Sequence, residues 1–585
     1  MNLRWSFETQ NPALAAQLAA DLAVSPLLAQ CLLNRGHQQP DRIRDFLEPR
    51  LKHLADPFLL PNMAAAVDRL CRARQEQAPV IIFGDYDVDG VTSTALLTEV
   101  LGALGWTTTA YLPHRIDEGY GLSREAAENC LAKSGCLDPA TSPRPVLLAV
   151  DCGSTSIESI AWLRSLDIDV IVLDHHQISN PAPPAHALVN PRFGMVDPAG
   201  SAAFTELCSA GLAFKLAHAL VKRGRDTGLP QAATFDLRPL LDLVALATIA
   251  DVVPLTGESR ILVTAGLERL NHTTRPGLSA LRQVAESPAV LGARDVAFQL
   301  APRLNAAGRL ESARDSLDLL LCGNPQQALD IARRLDARNR ERQKVERAIL
   351  DEATQTLRAR FNPETDWVIV EGRVPWHVGV VGIVASRILQ EFHRPTIILG
   401  GPSDQEIHWR GSGRSIPGFD LAQALQECND LLARHGGHAM AAGLSIHPDH
   451  VDAFRKRLND CARRCLKPSD LVPALRLDAE VSLEDLTLER LRELTRLHPL
   501  GQSNPPVQLA ARNVSLHKPA QFLGADRQHV KLWLTDGGRP VETVWWGAGK
   551  LPLPQGRFDI AFVPQINDYN GRQTVQLRLL DWKPA

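Results

Sequence analysis

At 585 residues the chain is too long for one compact core, so roughly three or four domains are expected. Hydrophobic residues at 45% and charged residues at 22% match an ordinary globular protein and exclude a disordered or fibrous chain. A formal net charge of -3 excludes a chain that is basic throughout, so a polyanionic partner would have to meet locally gathered Lys and Arg.

The opening residues MNLRWSFETQ lack the apolar core of a signal peptide, and a cytoplasmic protein is expected. No apolar run is long enough to span a bilayer, and the longest candidate, VALATIADVV, is soon broken by a charge. The 10 cysteines stand singly with no CxxC pair, which argues against a zinc ribbon or a thioredoxin-like motif and for reduced, partly buried thiols. Residues 1–62 read as an N-terminal helical region without a chemical motif. An α/β alternation then fills 63–324. Val80–Phe83, Val146–Val150 and Val170–Leu173 are buried-strand candidates with helical sequence between them, the pattern of a parallel, doubly wound sheet. Residues 325–360 are charged and nearly free of breakers, which predicts one long connector helix. Its basic stretch from Arg333 to Lys344 reads as a solvated face. A second α/β domain is expected over 361–467. The short β-like runs of 468–585, Val507–Val514, His529–Thr535, Val541–Trp546, Asp559–Val563 and Thr574–Leu579, suggest a small OB-like barrel. Asn567 to Gly571 reads as a hairpin turn, and Trp545 and Trp546 are left without a role.

In a doubly wound sheet, ligands bind beyond the carboxyl ends of the strands. Four apolar segments end there in acids or imidazoles. Phe83 leads into Asp85, Asp87 and Asp89; Val150 into Asp151; Leu173 into Asp174, His175 and His176; and the stretch Leu243–Ile249 into Asp251. Clustered carboxylates repel each other without a cation, and hard oxygen ligands with imidazole suit Mn²⁺ or Mg²⁺. Any one of these aspartates, taken singly, is more simply a helix cap. The run Asp-x-Asp-x-Asp-Gly mimics a calcium loop, but Leu96 occupies its twelfth position and a strand precedes it, so an EF-hand is excluded. Four coincidences in chain order are harder to set aside.

Asp85-x-Asp87-x-Asp89-Gly90-x-Thr92-Ser93, Asp151-x-Gly153, Asp174-His175-His176 and Asp251 resemble the ordered motifs of the DHH phosphoesterase family. Pro113-His114-Arg115, Glu118 to Gly121 and Pro302 to Arg309 resemble segments of its RecJ-type exonucleases. Trp376 to Gly382, Gly411-Ser412-Gly413-Arg414-Ser415 and Gly436-Gly437-His438 with Gly443 resemble the associated DHHA1 domain. The resemblance spans nearly the whole chain, most weakly in the first sixty or so residues. Gln502-Ser503 departs from a more glycine-rich pattern at the entrance to the barrel.

The resemblance implies a pair of divalent ions, Mn²⁺ or Mg²⁺. It makes Asp87, Asp89, Asp151, His175 and Asp251 the expected metal ligands, with Asp151 bridging. Asp85 is either a further ligand or orients a neighbour; Asp174 orients His175 or its loop, and His176 faces the scissile phosphate. Water is the expected nucleophile, with no covalent enzyme intermediate. Substrate contacts are expected from Arg115, Arg303, Asn305, Arg309, Ser412, Arg414 and His438, with the Gly-Ser-Gly backbone offering amides to phosphate and Gly436-Gly437 forming either a turn or a close-approach site. Exposed aromatics and cations of the barrel, Tyr569 and Arg572 among them, would add affinity for a single strand. The implied activity is 5′→3′ digestion of single-stranded DNA to mononucleotides in recombination and repair. The implied setting is a monomer of the bacterial cytosol or nucleoid, working with a single-stranded-DNA-binding protein and a RecQ-type helicase. A phosphodiesterase of cyclic dinucleotides or very short oligonucleotides, a pyrophosphatase and a non-catalytic scaffold are the alternatives.

Overall fold

The computed structural model describes residues 3–115, 117–138, 142–193, 204–401 and 407–585, with the side chain of Leu310 left aside. The chain divides into two compact units, one of Phe7–Asp336 with Arg476–Ala585, the other of Met1–Ser6 with Ala337–Leu475.

In the larger unit, β1 (Val80–Phe83), β2 (Thr108–Tyr111), β3 (Val146–Val150), β4 (Asp169–Leu173) and β5 (Ala187–Val189) form a sheet in the order β2-β1-β3-β4-β5. All its pairings are parallel. Successive side chains leave opposite faces of a strand. Ile81, Phe83, Leu147, Ala149, Val170 and Val172 therefore enter one core, and Val80, Ile82, Val146, Leu148, Ile171 and Leu173 the other. Both faces are covered, which is why these strands read as continuous apolar runs. The strand order reverses between β1 and β3, and a crevice opens at such a switch point. Helices α1 (Val88–Ala103), α2 (Ser209–Asp226) and α3 (Leu241–Ala250) contribute to one core. The apolar stretch before Asp251 is thus a helix and not a fourth strand. Leu241–Ile249 is buried on every side, which removes the amphipathic period that would have marked it as helical.

The same unit holds the barrel. Strands Leu509–Leu516, Gln521–Leu523, His529–Thr535, Val541–Trp545, Arg557–Tyr569 and Arg572–Pro584 form one sheet with the short Ala479–Glu480. Leu509–Leu516 pairs with both Arg557–Tyr569 and His529–Thr535, which closes the sheet on itself. The long hairpin turns at Asn570-Gly571, both in the left-handed region, as a two-residue turn matching the twist of its strands requires. Helices Pro12–Leu22, Pro26–Asn34 and Pro40–Leu47 share this core: Leu18, Leu28, Leu32, Ile43 and Phe46 pack with Leu509, Val530, Phe558 and Leu577. Among the described residues no single helix is long and apolar enough to cross a membrane. A bent pair, Pro12–Leu22 with Pro26–Asn34, passes by composition, and its apolar residues belong to this core.

Helix α4 (Pro325–Arg360) carries the chain into the second unit, and its only proline is its first residue. That unit is built on β6 (Ile369–Arg373), β7 (Thr396–Gly400), β8 (Trp409–Arg414), β9 (Leu432–His438) and β10 (Ala441–Ile446), ordered β9-β10-β8-β7-β6. Only β6 and β7 run parallel. Helix α5 (Val381–Phe392) packs on β7 and β8.

Candidate metal centre

Asp85, Asp87 and Asp89 follow β1, and Asp151 follows β3, so the two acidic segments stand on either side of the switch point. Gly90 lets α1 approach: a Cβ there would lie 2.5 Å from the Asp85 carbonyl oxygen. The Asp87 carboxylate caps α1 by accepting from the Asp89 and Gly90 amides at 2.9 and 3.1 Å. The helix-cap role considered for a lone aspartate is therefore real here and coexists with membership of the cluster. Asp89 in turn accepts from the Ser209 and Ala210 amides at 2.7 and 2.8 Å, at the N-terminus of α2, and Ser209 Oγ donates to Asp151 Oδ1 at 2.9 Å. Two helix N-termini thus face carboxylates and offset part of their mutual repulsion. Asp151 takes φ 62, a left-handed conformation that Asp tolerates better than most side chains.

Asp174-His175-His176 follows β4, and its two imidazoles are treated differently. His176 Nδ1 lies 2.7 Å from Asp174 Oδ1. Asp174 also accepts from the Ser154 amide, and Asn190 Nδ2 donates to the His176 carbonyl. Burial opposes the charge on His176, but the bond to Asp174 outweighs it and raises the imidazole to about 9. Burial likewise opposes the charge on Asp174, and His176 holds that carboxylate well below its usual range. His175 is held neutral: burial first, then the charge of His176, lower it to about 4. Its Nε2 lies 3.3 Å from Asp251 Oδ2, 3.7 Å from Asp151 Oδ1 and 4.0 Å from Asp89 Oδ2. Neither His175 Nε2 nor Asp251 Oδ2 makes a hydrogen bond, nor does Asp85 Oδ1, although all three atoms are buried.

Buried polar atoms are almost always paired. Three orphans in one crevice mark a place made for a cation. The ligand atoms group within 4.8 Å as Asp89, His175 and Asp251, as Asp85, Asp87 and Asp151, and as Asp151, His175 and His176, with Asp151 common to two groups. Burial, then the neighbouring acids, push Asp151 and Asp85 well above the usual carboxylate range, Asp89 to about 6 and Asp251 to about 8. Such carboxylates ionise readily only beside positive charge. Carboxylate oxygens with a neutral imidazole form the donor set of Mn²⁺ or Mg²⁺, and the residues present fit such an ion.

The expected substrate residues scatter more widely. Arg115 stacks on Tyr86, with its guanidinium 5.1 Å from the ring centroid. Asn305 Oδ1 accepts from the Val88 amide at 3.1 Å, so it supports the acidic loop directly. Gly308 lies against the Tyr86 carbonyl, and the charge of Arg309 reaches the Tyr86 ring. Arg303 is engaged inside the protein, donating to Asp336 Oδ1 at 2.9 Å and to the Gln299 carbonyl at 2.6 Å. In the second unit the expectation of free backbone amides fails. Gly411, Ser412, Gly413 and Arg414 lie in β8, paired on one side with β7 and on the other with β10. The glycines serve packing instead, since a Cβ on Gly411 or Gly413 would come within 2.4 Å of Leu399 or 2.6 Å of Leu421. Arg414 Nη1 donates to Ser412 Oγ at 3.0 Å and to the Gly413 carbonyl at 2.8 Å. Gly436-Gly437-His438 is the end of strand β9, and the turn follows it.

Sequence reading gave no role to Ser209, Ala210, Ser154 or Asn190, and none to Tyr120, whose hydroxyl lies 3.4 Å from His176 Nε2. Tyr120 stood inside a quoted motif. The others carry no local signal, because their partners lie 14 to 121 positions away.

Comparison with known proteins agrees with this geometry. Residues 79–248 match the DHH family, N-terminal domain; residues 366–464 the DHHA1 domain; and residues 477–581 the RecJ OB domain. The chain is 35% identical over 585 residues to the single-stranded-DNA-specific exonuclease RecJ of Escherichia coli (strain K12), covering 96% of each chain. It is 35% identical over 583 residues to that of Bacillus subtilis (strain 168), covering 99% of this chain and 70% of the relative. The crystal structure of RecJ in complex with Mn²⁺ from Thermus thermophilus superposes with a TM-score of 0.82 at 30% identity, covering 100% of this chain and 80% of that one. The Mg²⁺ complex gives 0.76 at 29% identity, covering 100% of this chain and 79% of that one.

Proposed function

The chain belongs to the RecJ family of single-stranded-DNA-specific exonucleases, and from that premise we propose that it hydrolyses phosphodiester bonds of single-stranded DNA with Mn²⁺ or Mg²⁺ as cofactor. The observation that carries the reading stands at the strand-order switch, where Asp85, His175 and Asp251 keep buried atoms without hydrogen bonds. Asp85, Asp87, Asp89, Asp151, His175 and Asp251 would hold the ions, their ligand atoms gathering as Asp85, Asp87 and Asp151 and as Asp89, His175 and Asp251. When bound, such ions acidify water and offset the charge gathering on the attacked phosphate.

The side chains of the chain itself do the rest. His175 stays neutral and so keeps a lone pair for a ligand role. His176, protonated and fixed by Asp174, presents its other ring nitrogen as a donor to a phosphate oxygen. Ser209 and the α2 amides hold Asp89 and Asp151 in place, and Asn305 holds the start of α1. Arg115 and Arg309 beside Tyr86, and Arg414 with Ser412 and His438 in the second unit, are proposed to grip the strand. We propose 5′→3′ polarity with release of mononucleotides, a role in recombination and repair, cytosolic location, a monomeric state, and cooperation with a single-stranded-DNA-binding protein and a RecQ-type helicase. A single strand labelled in turn at each end and incubated with Mn²⁺ tests the core of this. A labelled mononucleotide should leave early from the 5′ end alone, and not with Asp151→Ala. Intact long strands beside cleaved dinucleotides would favour a small-substrate enzyme. No cleavage of either would favour a scaffold.

A further inference from the structure

Twelve described residues other than glycine adopt positive φ, and Val252, at φ 58, is the only β-branched one. A β-branched side chain is strongly disfavoured there, because its Cβ substituents crowd the backbone. The turn itself is a common helix ending. Asp251 caps α3, the Val252 amide donates to the Ile249 carbonyl at 3.4 Å, and Val253 packs on Cys208, Ala210 and Ala247. Glycine is the usual residue at the Val252 position of such an ending. Val252 does not repay its strain by burial, since it is 63% exposed. An exposed apolar side chain, in a conformation made for glycine, follows directly on a residue of the acidic cluster. Strain of this kind concentrates where a site uses it. A second exposed side chain, Tyr120, stands at another member of the cluster, its ring meeting that of His176 edge-on at 6.1 Å.

We propose that Val252 is a substrate-contact residue, whose isopropyl group packs against the nucleoside attached to the phosphate held at the acidic cluster. The inference rests on the exonuclease reading above. It assigns Val252 to affinity for the strand and leaves the reacting atoms to its neighbours.

Val252→Thr keeps the β-branch and its backbone restraint and exchanges one methyl for a hydroxyl; Val252→Gly removes both the side chain and the strain. Initial rates on a single strand are measured against strand concentration and, separately, against Mn²⁺. Both variants should raise KM, by roughly three- to tenfold, with kcat and the Mn²⁺ half-saturation unchanged. Val252→Gly should also melt no lower than the unaltered protein. A Val252→Thr enzyme with unaltered KM overturns the proposal. So does a shift confined to Mn²⁺ half-saturation, which would make the residue a stiffener of Asp251, and so does a lower melting temperature for Val252→Gly. Failure of the exonuclease reading is distinguishable, because the unaltered protein would then leave the strand intact.

Discussion

Arg260 is as buried as Asp85, Asp89 and Asp151 in the same unit, and the protein treats it and the acidic cluster in opposite ways. Arg260, 1% exposed, donates to the carbonyls of Phe46, Leu497, Pro499, Arg496 and His498, and its guanidinium lies 3.8 Å from the centre of the Phe46 ring. It ties the N-terminal helices and the segment before the barrel to the catalytic half of the unit. Asp85, His175 and Asp251 also present buried polar atoms, and these accept or donate nothing. A buried charge with every partner supplied is a structural fastening; a set of buried polar atoms left without hydrogen bonds is suited to a ligand.

The contrast breaks most visibly at Asp151. Asp151→Asn keeps the residue's tolerance of positive φ, and nuclease activity should fall at least about a thousandfold. Without metal, however, the variant should melt no lower than the unaltered protein, because a repelling charge has gone. The sign follows from the raised carboxylates. A folded value above the unfolded one lends stability that is complete below about 4 and is lost as pH rises through about 6 for Asp89 and about 8 for Asp251. The metal-free protein is therefore held least firmly at mildly alkaline pH. Added Mn²⁺ should raise the melting temperature more at pH 8 than at pH 6, and should do so far less in Asp151→Asn. Equal metal responses in the two proteins would mean that the ion sits elsewhere.

Arg260→Met should show the opposite profile. Removing the guanidinium strands its carbonyl partners, at a cost of about 3–5 kcal/mol in urea unfolding. Turnover on single strands should persist wherever the variant remains folded. The smallest effect belongs to two histidines near that arginine. Burial, then the charge of Arg260, depress His37 and His498 below the ordinary imidazole value. Their contribution is present above about 6.5 and is lost as pH falls through the depressed values, so acid should loosen this junction first. His498→Gln should flatten the acid limb of the stability curve; an unchanged limb would assign the loss to other groups.

Legibility from sequence divides along similar lines. The strand-end acids could be read because each motif is short, local and placed by a buried apolar run such as Val80–Phe83. Thr108–Tyr111 is half polar and partly exposed, and Ala187–Val189 has only 3 residues, so they flank the sheet unannounced. Asp251 was placed correctly at the end of an apolar stretch, but a helix buried on all sides has no amphipathic period to give it away. Ser209 and Ala210 meet Asp89 only through the fold. Gly411 and Gly413 read as backbone offering amides to phosphate and are a strand pressed against leucines, since glycine serves both purposes equally well. Arg260 gave no sign at all, because an arginine in a helical pattern reads as solvated until its carbonyl partners are seen.

The core shared by the N-terminal helices and the barrel has a consequence for biosynthesis. Arg35 binds Asp478, 443 positions downstream, and Leu18, Leu28 and Leu32 pack on strands that are translated later still. At ordinary elongation rates of about 5–20 residues per second, those helices leave the ribosome roughly 20 to 90 seconds before their partners exist. The sheet carrying the acidic cluster can close while they wait. An interrupted translation product would therefore display an apolar helical surface beside a nearly complete catalytic sheet, and chaperones or proteases would meet that surface first.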